Sequence, residues 1–245
     1  PDIVAHSYGP RSVEMEDVFL RLDKDIEALL NFLDAEVGKD QYTVFLTADH
    51  GGADVPNHLK DNKIPAGYIS DNQLKKDLKV YLHKMYGDSL LLENISNEQI
   101  FLNEERLLAA KIDKNVLEAN LCDYLLKQKG INAAYPSAVL INGAFTGNDY
   151  RTLFQNGYNA KLSGNVAFMY APAYMDYSEK GTTHGSGYNY DTHVPLIFYG
   201  CGIPKGDNFA YTAITQIAVT VCELLQINQP NATKAQPLND YFKSK

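Results

Sequence analysis

Apolar residues recur at helical spacing from Met15 through Val18, Phe19, Leu22, Ile26, Leu29, Leu30 and Leu33 to Val37. Three- and four-residue steps of this kind predict an amphipathic helix, with Ser12 as its N-cap and Gly38 as its stop. The next apolar stretch, Thr43 to Ala48, has no polar alternation, so it predicts a strand buried on both faces. Residues 51–70, punctuated by Gly51, Gly52, Pro56 and Pro65, read as an irregular loop. From 71 the pattern changes. It predicts a helix over 71–86, short strands at 90–93 and 99–103, and a helix over 113–129. A strand over 133–141, a short helix near 149–156 and a strand near 165–170 follow. Beyond these, Val194–Tyr199 reads as a buried strand closed by the turn Gly200-Cys201-Gly202-Ile203-Pro204. Thr212–Leu225 reads as an apolar helix, and the tail from Gln229 is polar. No repeat or low-complexity tract interrupts this order.

Strands alternating with helices place the chain in the α/β class. The candidate functional residues lie on both sides of the helix-and-hairpin block. That block is therefore expected to be an inserted α+β subdomain over 71–170, between core segments 1–70 and 171–245. Of the 245 residues 45% are hydrophobic, enough for a packed core. A formal charge of −8 argues against a nucleic-acid groove, which needs a basic stripe. It leaves phosphate binding open where metal ions supply the positive charge. No run reaches the roughly 18 apolar residues of a membrane span. Cys122, Cys201 and Cys222 show no CxxC spacing; Cys222, on the apolar side of a predicted helix, is expected to be a buried free thiol. Asn94-Ile95-Ser96 and Asn231-Ala232-Thr233 match glycosylation sequons, a pattern common by chance.

Five residues attract attention as metal ligands. Asp2 and His6 are four positions apart, Asp49 and His50 end the strand at 43–48, and His184 lies in Gly181-Thr-Thr-His-Gly-Ser. Aspartate and histidine suit zinc, but five ligands exceed one tetrahedral shell, so the set points to a pair of ions sharing a phosphate-sized substrate. A strand's C-terminal end is also where open α/β sheets place ligands. Plainer readings stand beside these. Asp49-His50 can be a capping pair, and Asp2/His6 alone can be a chance spacing at the start of the chain. His193 reads as structural, orienting the His184 loop; His58 and His83 read as surface histidines. Tyr188 and Tyr190 read as packing residues that can also line the pocket.

Leu46-Thr-Ala-Asp-His-Gly-Gly, then Thr183-His-Gly-Ser and His193-Val-Pro-Leu-Ile-Phe-Tyr-Gly, in that order, resemble the alkaline phosphatase superfamily. Within it, the likeness is to the phosphate-irrepressible bacterial alkaline phosphatases and the type I phosphodiesterase/nucleotide pyrophosphatase branch. The resemblance covers Asp2–Gly9, Tyr42–Gly67, Gly181–Gly202 and about 211–238, and is thin in the middle. It implies an alkaline-phosphatase-like mixed sheet flanked by helices, with an insertion near 71–170.

The resemblance also implies roles. Asp2, His6 and His184 would hold one zinc ion, and Asp49 and His50 would contribute to a second. In such enzymes the second ion also takes an upstream aspartate and a nucleophilic Ser or Thr. Neither has a counterpart in these 245 residues. The expectation is therefore the C-terminal, metal-binding part of a phosphate monoester hydrolase, with an incomplete core, no catalytic nucleophile of its own and little turnover alone. Its substrate would be a small phosphate ester, and its location periplasmic or secreted. A phosphodiesterase or nucleotide pyrophosphatase on the same scaffold is the alternative. A non-catalytic metal- or glycan-binding module is the reading from another class. A sulfatase or a cofactor-independent phosphoglycerate mutase is a weaker match.

Overall fold

The computed structural model describes residues 1–147 and 149–238. In chain order the elements begin with α1 (Asp2–Tyr8), α2 (Val13–Leu33, continued by a π turn over Asp34–Gly38) and β1 (Thr43–Thr47). Next come α3 (Pro56–Asp61), β2 (Gly67–Tyr68) and α4 (Asp71–Tyr86). The hairpin strands β3 (Leu92–Ser96) and β4 (Gln99–Leu102) lead to α5 (Glu104–Ala109) and α6 (Lys114–Leu125). After these run β5 (Ile131–Pro136), α7 (Ser137–Asn142), α8 (Tyr150–Gly157), β6 (Val166–Tyr170) and β7 (Tyr174–Met175). The chain closes with α9 (Asn189–Thr192), β8 (Leu196–Gly200) and α10 (Gln216–Leu224). The fold is α/β. Its chain contacts form two compact units, one of residues 1–21 and 49–194, the other of 22–48 and 195–245.

The larger unit is built on a four-stranded antiparallel sheet in the order β3-β4-β6-β5. Asn97 and Glu98 join β3 to β4 with φ of 49° and 52°, the left-handed pair that a two-residue hairpin requires. α4 packs on this sheet because Leu74, Leu78 and Leu82 fall on one stripe and are buried. Its ends are well defined: the Ser70 hydroxyl accepts from the Gln73 amide at 3.3 Å, and Gly87 closes it at φ 77°. α6 adds Leu117, Leu121 and Leu125, all fully buried, against Val166 and Phe168 of β6. The Cys122 thiol belongs to this core, and burial pushes its pKa up to about 12. A two-stranded parallel pair, β2 with β7, lies in the same unit.

Several boundaries differ from the periodicity reading. The expected strand over 133–141 ends at Pro136, and Ser137–Asn142 is helical. The Ser137 amide is shared between the buried Glu118 carboxylate at 2.9 Å and the Asn165 carbonyl at 2.8 Å, distant contacts that serve the first turn as a cap would. The loop over 51–70 contains α3, which starts at Pro56; proline is favoured in a first helical turn because its missing N–H is not needed there.

In the smaller unit β1 pairs antiparallel with β8 alone, Leu46 facing Ile197 and Val44 facing Tyr199. The expectation that both strands are buried does not hold. Among the described residues no third strand joins this ribbon. Leu46, Ile197 and Tyr199 keep 39%, 54% and 49% of their surface exposed. The apolar stripe of α2 is likewise open at Leu29 and Phe32. Cys222 on α10 is only partly buried, and Cys201 is exposed.

Candidate metal centre

All five sequence-selected residues come together in the larger unit. Asp2 opens α1 and His6 lies one turn later, so helical geometry brings both side chains to the same side. The chain leaves β1 at Thr47 and turns through Asp49 and His50 into Gly51-Gly52. The Gly51 amide donates to the Asp191 carbonyl at 2.7 Å, and the Gly52 amide to the Tyr190 carbonyl at 2.8 Å. A Cβ on Gly51 would sit 2.2 Å from the Tyr190 oxygen, so only glycine permits this approach. The His184 loop is fixed in turn by the Thr182 amide, which donates to the His6 carbonyl at 3.0 Å.

Asp2 Oδ1 is the hub. Nε2 of His6 lies 3.4 Å from it, Nε2 of His184 3.7 Å and Nε2 of His50 3.8 Å. His50 Nε2 also lies 3.6 Å from Asp49 Oδ2. Ligand atoms of Asp2, His6 and His184 all fall within 4.8 Å of one another. Two ligands at 2.0–2.1 Å in a tetrahedral shell are about 3.3 Å apart, so the two Asp2–histidine separations in this trio need to contract by less than half an ångström. The donor set of one carboxylate and two imidazoles fits a zinc-type ion.

Outer contacts aim the rings. His6 Nδ1 is 2.7 Å from the Thr182 carbonyl, and His50 Nδ1 is 2.8 Å from the Gly51 carbonyl. A carbonyl can only accept, so Nδ1 carries the proton and Nε2 faces the hub, the arrangement that metal-ligating histidines use. His50 and His184 stack at 3.3 Å and 12°, and His6 stacks on Tyr177 at 5.4 Å. Burial pushes the His184 pKa below its usual value, and the neighbouring His50 and His6 lower it further. The neutral ring is the ligating form. Asp49 is less enclosed: its side chain is largely exposed, with Oδ1 accepting from the His50 amide at 3.1 Å.

With this geometry in hand, comparison with known proteins decides the family. A family model described as type I phosphodiesterase / nucleotide pyrophosphatase matches residues 1–147. The chain belongs to this family. Among curated relatives, alkaline phosphatase PafA of Elizabethkingia meningoseptica is 32% identical over 98% of this chain and 44% of its own length. Alkaline phosphatase PhoV of Synechococcus elongatus is 35% identical over 99% of this chain and 43% of its own. A Myroides odoratus protein named calcium-transporting ATPase is also 35% identical, over 98% and 44%. The crystal structure of wild-type alkaline phosphatase PafA superimposes with a TM-score of 0.90 at 32% identity, covering 98% of this chain and 46% of that one. The chain thus spans under half the length of the relatives it matches.

His58 and His83 are exposed, and so is His193, the residue that closes α9. Sequence reasoning missed the supporting cast. Asp191 is 4% exposed; its Oδ2 accepts from the Ser186 amide at 2.8 Å and hydroxyl at 2.5 Å, while its Oδ1 has no protein partner. Thr182 and Tyr177 were also unmarked, and Tyr190 was marked for its ring and not for the carbonyl that holds Gly52. Partners that act through main-chain carbonyls leave no signature in residue type. Asp191, a carboxylate seven residues after His184, was the one visible clue.

Proposed function

We propose that this chain is the metal-binding part of a zinc-dependent phosphoric monoester hydrolase of the alkaline phosphatase type. The supporting observation is Asp2 Oδ1 set 3.4–3.8 Å from three imidazole Nε2 atoms, two of them aimed by main-chain carbonyls. Asp2, His6 and His184 would hold one zinc ion, and Asp49 and His50 would contribute to a second. Such a pair supplies neutralisation of the charge that develops on the attacking and leaving oxygens of an in-line displacement. The protein's own part is to present neutral Nε2 lone pairs in a fixed frame. It also keeps the three histidines clustered by using the Asp2 carboxylate between them. The nucleophile and the remaining ligands of the second ion would come from sequence outside these 245 residues. The segment 71–170 is read as an inserted α+β subdomain, and the protein as periplasmic or secreted. No helix among the described residues is long and apolar enough to cross a membrane.

A zinc titration by calorimetry tests the ligand assignment. His184→Ala, which removes one of three ligands from the fuller site, should weaken zinc binding by about a hundredfold or more. His50→Ala should leave that tight phase largely intact. Equal losses from both changes would overturn the assignment. The 245-residue chain loaded with zinc should show negligible turnover of an aryl phosphate; turnover that vanished with Asp2→Ala would refute the claim that the nucleophile lies elsewhere.

The family description itself favours a second reading, phosphodiester or nucleotide pyrophosphate cleavage. Comparing kcat/KM for a phosphate monoester and a diester, in a protein that also contains the flanking sequence, separates the two.

A further inference from the structure

A cleft of about 310 Å³ opens beside the His184 loop in the larger unit. Gly185, Ser186 and Gly187, the three residues that follow His184, line it together with Tyr150, Leu153 and Phe154 of α8. We propose that this cleft receives a planar aromatic leaving group of the phosphate ester, held by the α8 aromatics while the phosphate lies at the metal centre. The proposal rests on the hydrolase reading above and adds the chemistry of the substrate's organic half.

Three observations support it. The first is continuity: the lining starts one peptide unit from a proposed metal ligand. Ser186 is pinned by its amide and hydroxyl to Asp191 Oδ2, so the link between centre and cleft is held in place. The second is chemistry. Among the described residues, none lining the cleft carries an Asp, Glu, Lys, Arg or His side chain. A second phosphate would find no counter-charge there, whereas an uncharged ring gains apolar and edge-to-face contacts. Its volume suits the task, since a cavity of about 150 Å³ holds benzene. The third is preorganisation. Tyr150 meets Tyr188 edge-on at 5.2 Å, and Phe154 meets Tyr135 at 5.4 Å. A Cβ on Gly187 would come within 2.8 Å of the Tyr150 ring, so the glycine and the ring pack directly together and fix this side of the cleft. Gln155 ties α8 to α7 by donating to the Leu140 carbonyl at 3.0 Å and accepting from the Phe145 amide at 3.1 Å.

The test uses the full zinc-loaded chain and three non-hydrolysable or product probes: phenylphosphonate, methylphosphonate and inorganic phosphate, titrated by calorimetry. Phenylphosphonate should bind about tenfold tighter than methylphosphonate. Phe154→Ala should bring that ratio toward one. Leu153→Trp, which fills the cleft from a half-exposed position and spares the core, should do the same if Phe154→Ala folds poorly. Equal affinity for the two phosphonates in the wild-type chain, with inorganic phosphate bound, overturns the proposal and leaves the metal centre standing. If inorganic phosphate fails to bind, the metal reading is decided by the zinc titration above. The cleft is then judged by 2-naphthol alone: saturable binding heat in calorimetry that Leu153→Trp abolishes supports it, and its absence refutes it.

Discussion

Glu98 sits at the second position of the β3–β4 turn, where the hairpin geometry turns its carboxyl toward other acids. Burial is the main cause of its shift, and Asp71, Asp176 and Asp191 add to it, so its pKa rises from 4.5 to about 7. Burial also raises Asp71, although the Tyr170 hydroxyl donates to it and opposes the change. The sign follows from proton counts. With a folded value above the unfolded one, the folded state holds the extra proton between pH 4.5 and about 7. The stabilising contribution is therefore complete below the unfolded value and is lost as pH rises through the folded one. The chain should melt at a lower temperature at about pH 8 than at about pH 5, provided no other group dominates that window. Glu98→Gln should flatten this slope and melt above the wild type at the higher pH. Thermal unfolding of both proteins across the range checks it; identical slopes would show that the strain lies elsewhere.

Helix α6 shows how an element's position depends on one buried carboxylate. Glu118 is fully buried among leucines, and its oxygens accept from the Ser137 amide at 2.9 Å and from the Ser137 hydroxyl at 2.8 and 2.9 Å. Asn165 reaches it at 3.4 Å and Lys114 lies 3.9 Å away. These donors oppose the burial that raises its pKa. Glu118→Leu would leave the Ser137 hydroxyl without its acceptor and the first amide of α7 with only the Asn165 carbonyl at 2.8 Å, and should cost about 1–3 kcal/mol in a denaturant titration. Glu118→Gln keeps an acceptor and should cost less; a silent Glu118→Leu would refute the role. The same contact explains what the sequence concealed. α4 was legible from end to end because its cap, its leucine stripe and its terminal glycine are all local. α7 was not, since Ser137-Ala-Val-Leu-Ile reads as a continuing strand and its first amide is held by two distant acceptors, the Glu118 carboxylate and the Asn165 carbonyl. α3 was hidden differently: Pro56 was read as a breaker when it served as a beginning.

At the scale of the molecule, the candidate centre was legible because aspartate and histidine stand out beside glycines, even across the 182 positions from Asp2 to His184. Their aiming carbonyls at Thr182 and Gly51 were not, because every residue has one. Burial was misjudged for a related reason. An unbroken apolar run such as Val44-Phe45-Leu46 records what a strand is suited to pack against, and says nothing about whether that partner lies within the same 245 residues. Among the described residues of the smaller unit β1 and β8 pair only with each other. Leu46, Ile197 and Tyr199 fall on one face of the ribbon by register and all three are exposed. Apolar strand faces with open edges associate in water. The isolated chain should therefore self-associate as its concentration rises through the micromolar range, seen as a growing weight-average mass in sedimentation equilibrium. Ile197→Lys places a charge on the apolar face of β8 without touching the core of the larger unit, and should return the chain to a monomer. A wild-type chain that stays monomeric at about 100 μM and melts well above the mesophilic range of about 45–65 °C would show that the ribbon is stable uncovered. In that case its apolar face would need another explanation.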